Sequence, residues 1–345
     1  MKRTIRLAAA LLTAAITALA ATAGAGAAPG APAATPLAPP AGSVLTGVSS
    51  GSPGSFQAQV GKHPAVYGEF VTWGQSIHFA FNDAAAAHAV LMLHISTSMG
   101  FGAKQQITPL GIAQGDGDRY LLFLGGLISH YRKPVYIRLF PEMDNANNAY
   151  SAFNTDGSSR GPSYSTRAFI AAWRRVAIVL RGGSVASIDA RLQALGQPAL
   201  HGLAAGATIS TPPVSLVWCP MVGGLPDVAG NGPTDYYPGA GYVDWVATDF
   251  YSKFPNFTGL DAFYKAFPGK PFAFGEWAIW GGDNPSFVAQ LFEWVDSHAR
   301  VRMMLYNQGY ETNGPFRLNL DPASTAAIRA QIASPRFLAT AAGSF

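Results

Sequence analysis

From residue 44 onward the chain alternates short apolar runs with longer amphipathic stretches. The short runs cover 44–50, 65–73, 88–96, 134–143, 214–221, 243–251, 271–279 and 301–309. Several are nearly continuous in Val, Ile, Leu, Phe and Ala, the pattern of strands covered on both faces. Helical signals stand between them. Ser165 is placed to cap a helix whose apolar positions Phe169, Trp173, Val176 and Leu180 share one face, and Gly182 is placed to end it. Asn284-Pro285 reads as a cap followed by proline in the first turn, with Phe287, Leu291 and Val295 forming one stripe. Asp116 is read as opening a helix that ends before Lys133-Pro134, and a last helix over 324–334 is ended by Pro335. The stretch 182–213 is longer than one connection needs, and an extra helix is expected near 188–195.

Eight strands alternating with helices predict a (β/α)8 TIM barrel forming a single domain. A doubly wound open sheet is the runner-up. Against it, the first strand runs into Val48-Ser49-Ser50-Gly51-Ser52-Pro53 and not into a glycine-rich phosphate loop. The barrel is assigned to 43–345. Upstream, Lys2, Arg3 and Arg6 precede an apolar run from Leu7 to about Ala21, and Ala25-Gly26-Ala27 offers small residues for cleavage. That order predicts a signal peptide over 1–27, hence a secreted protein with no membrane attachment after cleavage. Residues 28–42 are rich in Ala and Pro and read as a linker.

Composition narrows the partners. The formal net charge is +4, but three of those cations, Lys2, Arg3 and Arg6, leave with the leader, so the mature chain is left at +1. No long basic run remains, which argues against nucleic acid. Charged residues make up only 12% of the chain and aromatics equally 12%, a balance that favours a neutral partner met by ring faces. Cys219 is the only cysteine, so no intrachain disulfide can form, and its expected role is that of a buried apolar residue. The histidines show no metal-ligand spacing, so no metal and no cofactor is expected. A monomer is expected.

In a barrel of this kind the chemistry sits at the C-terminal strand ends. The fourth strand ends in Arg138-Leu-Phe-Pro-Glu142-Met-Asp144-Asn145, the seventh in Phe274-Gly-Glu276-Trp277, and the sixth in Asp249-Phe-Tyr251. The third ends near His94, the second carries Glu69 and Trp73, and the eighth ends in Tyr306-Asn307-Gln308. Glu142 and Glu276 are thereby placed to flank one sugar ring. Glycosidic cleavage needs such a pair, one carboxyl protonated to release the leaving oxygen and the other ionised to attack or to activate water. Arg138 is placed to hold a carboxylate ionised and Tyr251 to donate to the nucleophile. Trp73, Trp218, Trp277, Trp280, Tyr251 and Tyr306 fall at or just after strand ends, and about half of them are expected to line a cleft.

These residues carry a resemblance. The chain resembles glycoside hydrolase family 26, whose members include β-mannanases and some β-glucanases and β-xylanases. Arg138-Leu-Phe-Pro-Glu-Met-Asp is similar to the stretch that holds the family's acid/base. Lys270-Pro-Phe-Ala-Phe-Gly-Glu276 is similar to the strand that ends in its nucleophile, and Val217-Trp218 to its fifth-strand pair. Tyr236-Tyr-Pro-Gly-Ala-Gly-Tyr-Val-Asp-Trp-Val-Ala-Thr-Asp249-Phe-Tyr251 is the most specific match. The resemblance implies Glu142 as acid/base, Glu276 as nucleophile and Tyr251 as its partner, in a retaining mechanism. Arg138, Asp249, Trp218, Trp277, Trp73, His94 and Tyr306 are the expected substrate-binding residues. Three departures stand out: Pro141 where the family usually has histidine, Asp144 where it often has asparagine, and Asn147-Asn148 where an aromatic is common. The expected activity is endo-cleavage of a mannan, β-glucan or xylan. The alternatives are an unusual cell-wall glycan as substrate, or a barrel that binds glycan without cleaving it.

Overall fold

The computed structural model describes residues 37–100, 102–311 and 313–342; the leader expected over 1–27 lies outside them. Eight parallel strands follow one another around a closed ring. They are β1 (Val44–Ser49), β2 (Val66–Thr72), β3 (Val90–Ser96), β4 (Val135–Leu139), β5 (Val214–Trp218), β6 (Trp245–Tyr251), β7 (Phe272–Ala278) and β8 (Val301–Asn307). Each pairs with the next, and β8 returns to β1 with Leu45 opposite Met303 and Ser49 opposite Asn307. Two further short strands, Gly183–Ser184 and Thr208–Ile209, pair antiparallel outside the ring, and Phe337–Leu338 lies along β1. The expected TIM barrel is therefore the observed fold.

The helices are α1 (Pro53–Val60), α2 (His78–Ala86), α3 (Pro109–Ala113), α4 (Asp118–Tyr131), α5 (Thr166–Leu180), α6 (Val185–Ala194), α7 (Phe257–Ala266), α8 (Pro285–Ser297) and α9 (Pro322–Ile332). The expected caps form. Ser165 Oγ accepts from the Ala168 N–H at 3.2 Å, and Asn284 Oδ1 from the Phe287 N–H at 3.0 Å. Gly182 turns the chain away from α5 with a φ of 69°. The helix read as opening at Asp116 is α4, which begins two residues later at Asp118 behind Gly117; the short α3, capped by Thr108, precedes it. Asp118 is drawn inward by Arg175 on α5. The guanidinium reaches both carboxylate oxygens, at 2.7 and 2.5 Å, and Arg175 also donates to the carbonyls of Pro198 and Ala199. Both side chains are buried, so this pair ties α4, α5 and the loop after α6 together.

Strand alternation sorts the apolar residues into two cores. One lies inside the ring and includes Leu45, Met92, Tyr136, Trp245 and Leu305. The other fills the space between ring and helices and includes Val48, Leu93, Phe250, Phe274 and Tyr306. Residues 37–42, assigned from the sequence to the linker, lie against the start of the barrel. Leu37 packs on the inner core and its carbonyl accepts from the Tyr136 hydroxyl at 2.7 Å, while Arg302 donates to the Pro40 carbonyl. The stopper covers the end where the strands begin, which leaves the opposite end as the mouth.

Removing one partner of a buried ion pair leaves the other charge uncompensated. Arg175→Met is expected to cost about 3–5 kcal/mol of stability, read as a lower urea midpoint. Adding Asp118→Asn to that variant should restore part of the loss. A midpoint unchanged by Arg175→Met alone would show that the pair is not needed.

Candidate active site

Inward-facing positions of the strands deliver polar groups to the barrel mouth. On β4, Tyr136 belongs to the inner core and Arg138, two residues on, lies one layer nearer the mouth with 0% exposure. Its guanidinium meets three side chains from three other strands. It forms ion pairs with Asp249 of β6 and Glu276 of β7, and it donates from Nη1 to His94 Nδ1 of β3 at 2.7 Å. Burial, then the Arg138 charge, holds the His94 pKa well below its usual value. The ring is neutral, and because Nδ1 accepts, its proton sits on Nε2. Room for this layer comes from two glycines. A Cβ on Gly275 would stand 2.7 Å from Arg138 Nε, and one on Gly68 would stand 2.4 Å from His94 Nε2.

Glu276 reaches this layer through a break in the strand pattern. With Ala273 in the inner core, alternation turns Gly275 inward and would turn Glu276 toward the helices. Instead the register slips on both sides of β7. Phe274 pairs with Thr248 and Met304, while Glu276 pairs with Asp249 and Trp277 with Tyr306. One extra residue in β7 re-aims Glu276 into the mouth, as β-bulges do. Three strands then fix its carboxylate: Oε1 accepts from Arg138, and Oε2 accepts from the Tyr251 hydroxyl and, at 2.8 Å, from Asn307 Nδ2. Burial, reinforced by the charges of Glu276 and Asp249, pushes the Tyr251 pKa well up, so the phenol keeps its proton and donates.

Glu142 arrives by a different irregularity. The run expected as strand over 134–143 leaves the sheet after Leu139, because Phe140 and Glu142 take left-handed φ angles of 46° and 50°. Such angles cost roughly 1–2 kcal/mol per non-glycine residue and persist only where neighbours enforce them. Here the Glu142 N–H donates to the Cys219 carbonyl at 2.7 Å, Asn148 Nδ2 to the Glu142 carbonyl at 2.9 Å, and the Tyr150 hydroxyl to the Pro141 carbonyl at 2.5 Å. The Glu142 carboxylate accepts from Asn145 Nδ2 at 2.9 Å. Burial raises its pKa and the negative charge of Glu276 raises it further, against the opposing pull of Asn145 and Arg138. The two glutamates therefore lie close enough to feel each other, and Glu142 is biased toward its acid form.

The expected binding residues divide. Arg138, His94 and Asp249 are brought together, but as buried supports of Glu276 and not as groups open to a ligand. Trp218, Trp277, Trp73 and Tyr306 correct the sequence reading. Their side chains point outward: Trp218 packs on Phe263 and Phe267 at α7, Trp277 on Phe292 of α8, Trp73 on Tyr120 of α4, and Tyr306 on Phe56 of α1. Their strand phase explains it, since each is one residue out of step with an inward neighbour such as Val217 or Asn307. Tyr251 and Trp280 do reach the mouth, in a cluster with Phe316 and the 64% exposed Phe254. Across the barrel Phe70 stacks on His94 at 4.4 Å, with the 63% exposed Tyr310 edge-on to it. Asn145 and Asn307 were read from the sequence only as parts of strand-end stretches, with no role assigned, and Phe70 and Tyr310 were not singled out at all. For Asn307 and Phe70 the signal was available, as both occupy inward positions near strand ends. Among the described residues no group of three or more His, Cys, Asp or Glu is arranged to hold a metal ion, and no helix is long and apolar enough to cross a membrane.

No family model matches the chain, and no curated protein is significantly similar to it in sequence. Solved structures share its fold. The Bacillus subtilis mannanase BCman is 16% identical, over 85% of this chain and 87% of its own, with a TM-score of 0.53. The modular endo-β-1,4-mannanase of Cellulomonas fimi is 16% identical over 86% of this chain and 72% of its own, with a TM-score of 0.58. The GH26 β-mannanase of Bacteroides ovatus is 15% identical over 88% and 92%, with a TM-score of 0.55. The chain thus has the barrel fold of glycoside hydrolase family 26 enzymes.

Asp144 stands behind the Glu142 turn. It is buried, with Oδ1 accepting from the Met221 N–H at 2.9 Å and Oδ2 without a partner among the described residues. Its carbonyl accepts from the Leu225 N–H and Asn231 Nδ2, so the residue anchors the loop after β5. Burial pushes the carboxyl pKa well above its usual value. A carboxyl raised in the folded state favours folding when protonated. Its contribution is therefore full below the unfolded pKa near 3.9 and is lost as pH rises toward the folded value. Asp144→Asn should remove that loss, giving about 1–3 kcal/mol more stability than the parent at pH 7 and little difference at pH 4, measured by urea unfolding. A gap between the two proteins that does not grow with pH would contradict the assignment.

Proposed function

We propose that this chain is a secreted, retaining glycoside hydrolase that cleaves an extracellular β-glycan, with Glu276 as nucleophile and Glu142 as acid/base. The observation that carries this reading is the asymmetry between the two carboxyls. Glu276 sits among three donors, Arg138, Tyr251 and Asn307, while Glu142 is biased toward its protonated form beside it. A carboxyl biased toward its acid form, beside one whose two oxygens are both held by donors, suits the roles of acid and nucleophile. In the first step a Glu276 oxygen attacks the anomeric carbon as Glu142 gives its proton to the departing glycosidic oxygen. In the second, Glu142 takes a proton from water, the hydroxide adds to the same carbon, and the Glu276 ester bond breaks. The export signal read from 1–27 supports secretion.

The substrate class follows from the neighbours and from this chain's own residues. The structural neighbours are mannanases, which supports a β-linked hexose or pentose polymer. Aromatic rings on both sides of the mouth, Trp280 and Phe254 facing Phe70 and Tyr310, suit a chain that runs across it and is cut internally. Pro141 offers no side-chain donor beside Glu142, and its carbonyl is already taken by Tyr150. The lost side-chain contact costs about 1.5–3 kcal/mol in the transition state where a charged partner is involved. Unsubstituted β-mannan is therefore expected to be turned over at least ~10-fold less efficiently than the best glycan in a panel of mannans, glucans, xylans and arabinans. Mannan ranking first in kcat/KM would overturn this.

Substitution of the carboxyls tests the mechanism. Glu276→Ala should lose about four orders of magnitude or more in kcat while still folding, with a lowered unfolding midpoint because Arg138 keeps only Asp249 as a carboxylate partner. Glu142→Ala should lose about 10²–10⁴-fold on the glycan but much less on an aryl glycoside whose leaving group needs no proton. With azide added, Glu142→Ala should yield a glycosyl azide of the substrate's anomeric configuration, because the small anion replaces the water that lacks its base. Wild-type activity in either variant, or an inverted azide product, would refute the assignment. Glycan binding with no turnover by the parent would favour the non-catalytic alternative.

A further inference from the structure

Asn307 is the last residue of β8, and its phase turns it inward, since Tyr306 before it packs outward against α1. Its end of the strand is pinned to β1, where the Gln308 N–H donates to the Ser49 carbonyl at 3.0 Å. The residue is only 8% exposed and its side chain makes three contacts. Oδ1 accepts from the Gly309 N–H at 2.9 Å, and Nδ2 donates to Glu276 Oε2 at 2.8 Å and to the Tyr251 hydroxyl oxygen at 3.1 Å. The first contact decides the orientation of the amide. With Oδ1 held by a backbone N–H, only the NH2 end can face the carboxylate; the flipped amide would set its carbonyl against Glu276 and leave the Gly309 N–H opposite an NH2.

We propose that Asn307 is a positioning residue for Glu276: it fixes the plane of the nucleophilic carboxylate and fills the acceptor sites of Oε2, so that Oε1 is the oxygen that attacks. The assignment of attack rests on the function proposed above; the contact itself does not. Tyr251 alone would leave the carboxylate free to rotate about its line to Arg138. A second donor on Oε2, arriving from a different strand, removes that freedom. Oε2 then accepts two bonds, from Tyr251 and Asn307, while Oε1 accepts one, from Arg138, and keeps a lone pair for the anomeric carbon. Asn307 also touches the phenol oxygen of Tyr251, which directs the phenolic hydrogen away from itself and toward Glu276. The charged or titratable groups facing Glu276 are Arg138 on β4, Asp249 and Tyr251 on β6, and Glu142 after β4, with Tyr150, with Cys219 after β5 and with Tyr310 from the loop after β8 also sensing its charge. Beside them Asn307 is the donor to Glu276 that does not titrate.

Asn307→Asp gives the discriminating variant. It is isosteric and keeps an oxygen for the Gly309 N–H, so a purely structural role would survive it, but it replaces the donor by an acceptor beside Glu276. Asn307→Ala removes all three contacts. For Asn307→Ala, kcat should fall about 10- to 100-fold, the loss expected for one hydrogen bond to a charged group, with KM within about 3-fold of the parent. For Asn307→Asp the fall should be larger, and the acidic limb of the pH profile should move to higher pH, because two carboxyls now compete for one site. A readout independent of turnover comes from Glu276 itself. The chain has only five glutamates, Glu69, Glu142, Glu276, Glu293 and Glu311, so 13C-labelled glutamate carboxyls can be followed by NMR and Glu276 assigned with Glu276→Gln. Its titration midpoint should rise in both Asn307 variants. A parent-like midpoint and kcat in Asn307→Asp would overturn the proposal. A shifted midpoint in the variants, together with a parent that cleaves no glycan, would uphold the contact, refute the attack assignment, and place the error in the proposed function.

Discussion

The mouth of the barrel is organised around one buried cation. Arg138 has no exposed surface, and taking a guanidinium out of water costs several kcal/mol unless its hydrogen bonds and charge are answered. Asp249 and Glu276 answer the charge, and a neutral His94 accepts one more bond. The neighbouring positions follow from this requirement. Gly68 and Gly275 cannot carry a side chain without colliding with His94 or Arg138. Cys219, small and buried, fits beside them and contacts Asp249 through its thiol at 3.4 Å. The cation is also what permits two carboxylates of β6 and β7 to share one layer, since without it their mutual repulsion would fall inside a low-dielectric barrel.

Both reactive carboxyls are presented by departures from regular structure. Glu276 is turned inward by one extra residue in β7, and Glu142 by two left-handed residues after β4. A regular β7 would send Glu276 toward the helices, and a regular β4 would carry Glu142 up and away from the mouth. Neither departure is favourable locally. Each is held by contacts from other elements: Arg138, Tyr251 and Asn307 for the bulge, and the Cys219 carbonyl, Asn148 and Tyr150 for the turn. The site is therefore assembled from the packing of the whole barrel, and the helical shell that positions the strands, locked in part by Arg175 and Asp118, belongs to its support.

The sequence by itself determined the architecture. Eight apolar runs and the helices between them specify a barrel, because strand and helix periods and their caps are local properties that neighbouring residues decide among themselves. Ser165 and Asn284 cap where their sequence context placed them, and Glu142, Glu276, Arg138, Asp249 and Tyr251 were legible as strand-end polar groups. What tertiary structure decided was direction. Proximity to a strand end does not tell which face a side chain takes, so Trp73, Trp218, Trp277 and Tyr306 went to the helical core, while Phe70 and Asn307 came to the mouth. Nor could the sequence reveal that β7 gains a residue, that Phe140 and Glu142 turn left-handed, or that 37–42 closes the barrel floor. Those outcomes depend on partners far apart in the chain, Arg138 lying 138 positions from Glu276 and Arg302 262 from Pro40, and such contacts exist only once the ring has closed.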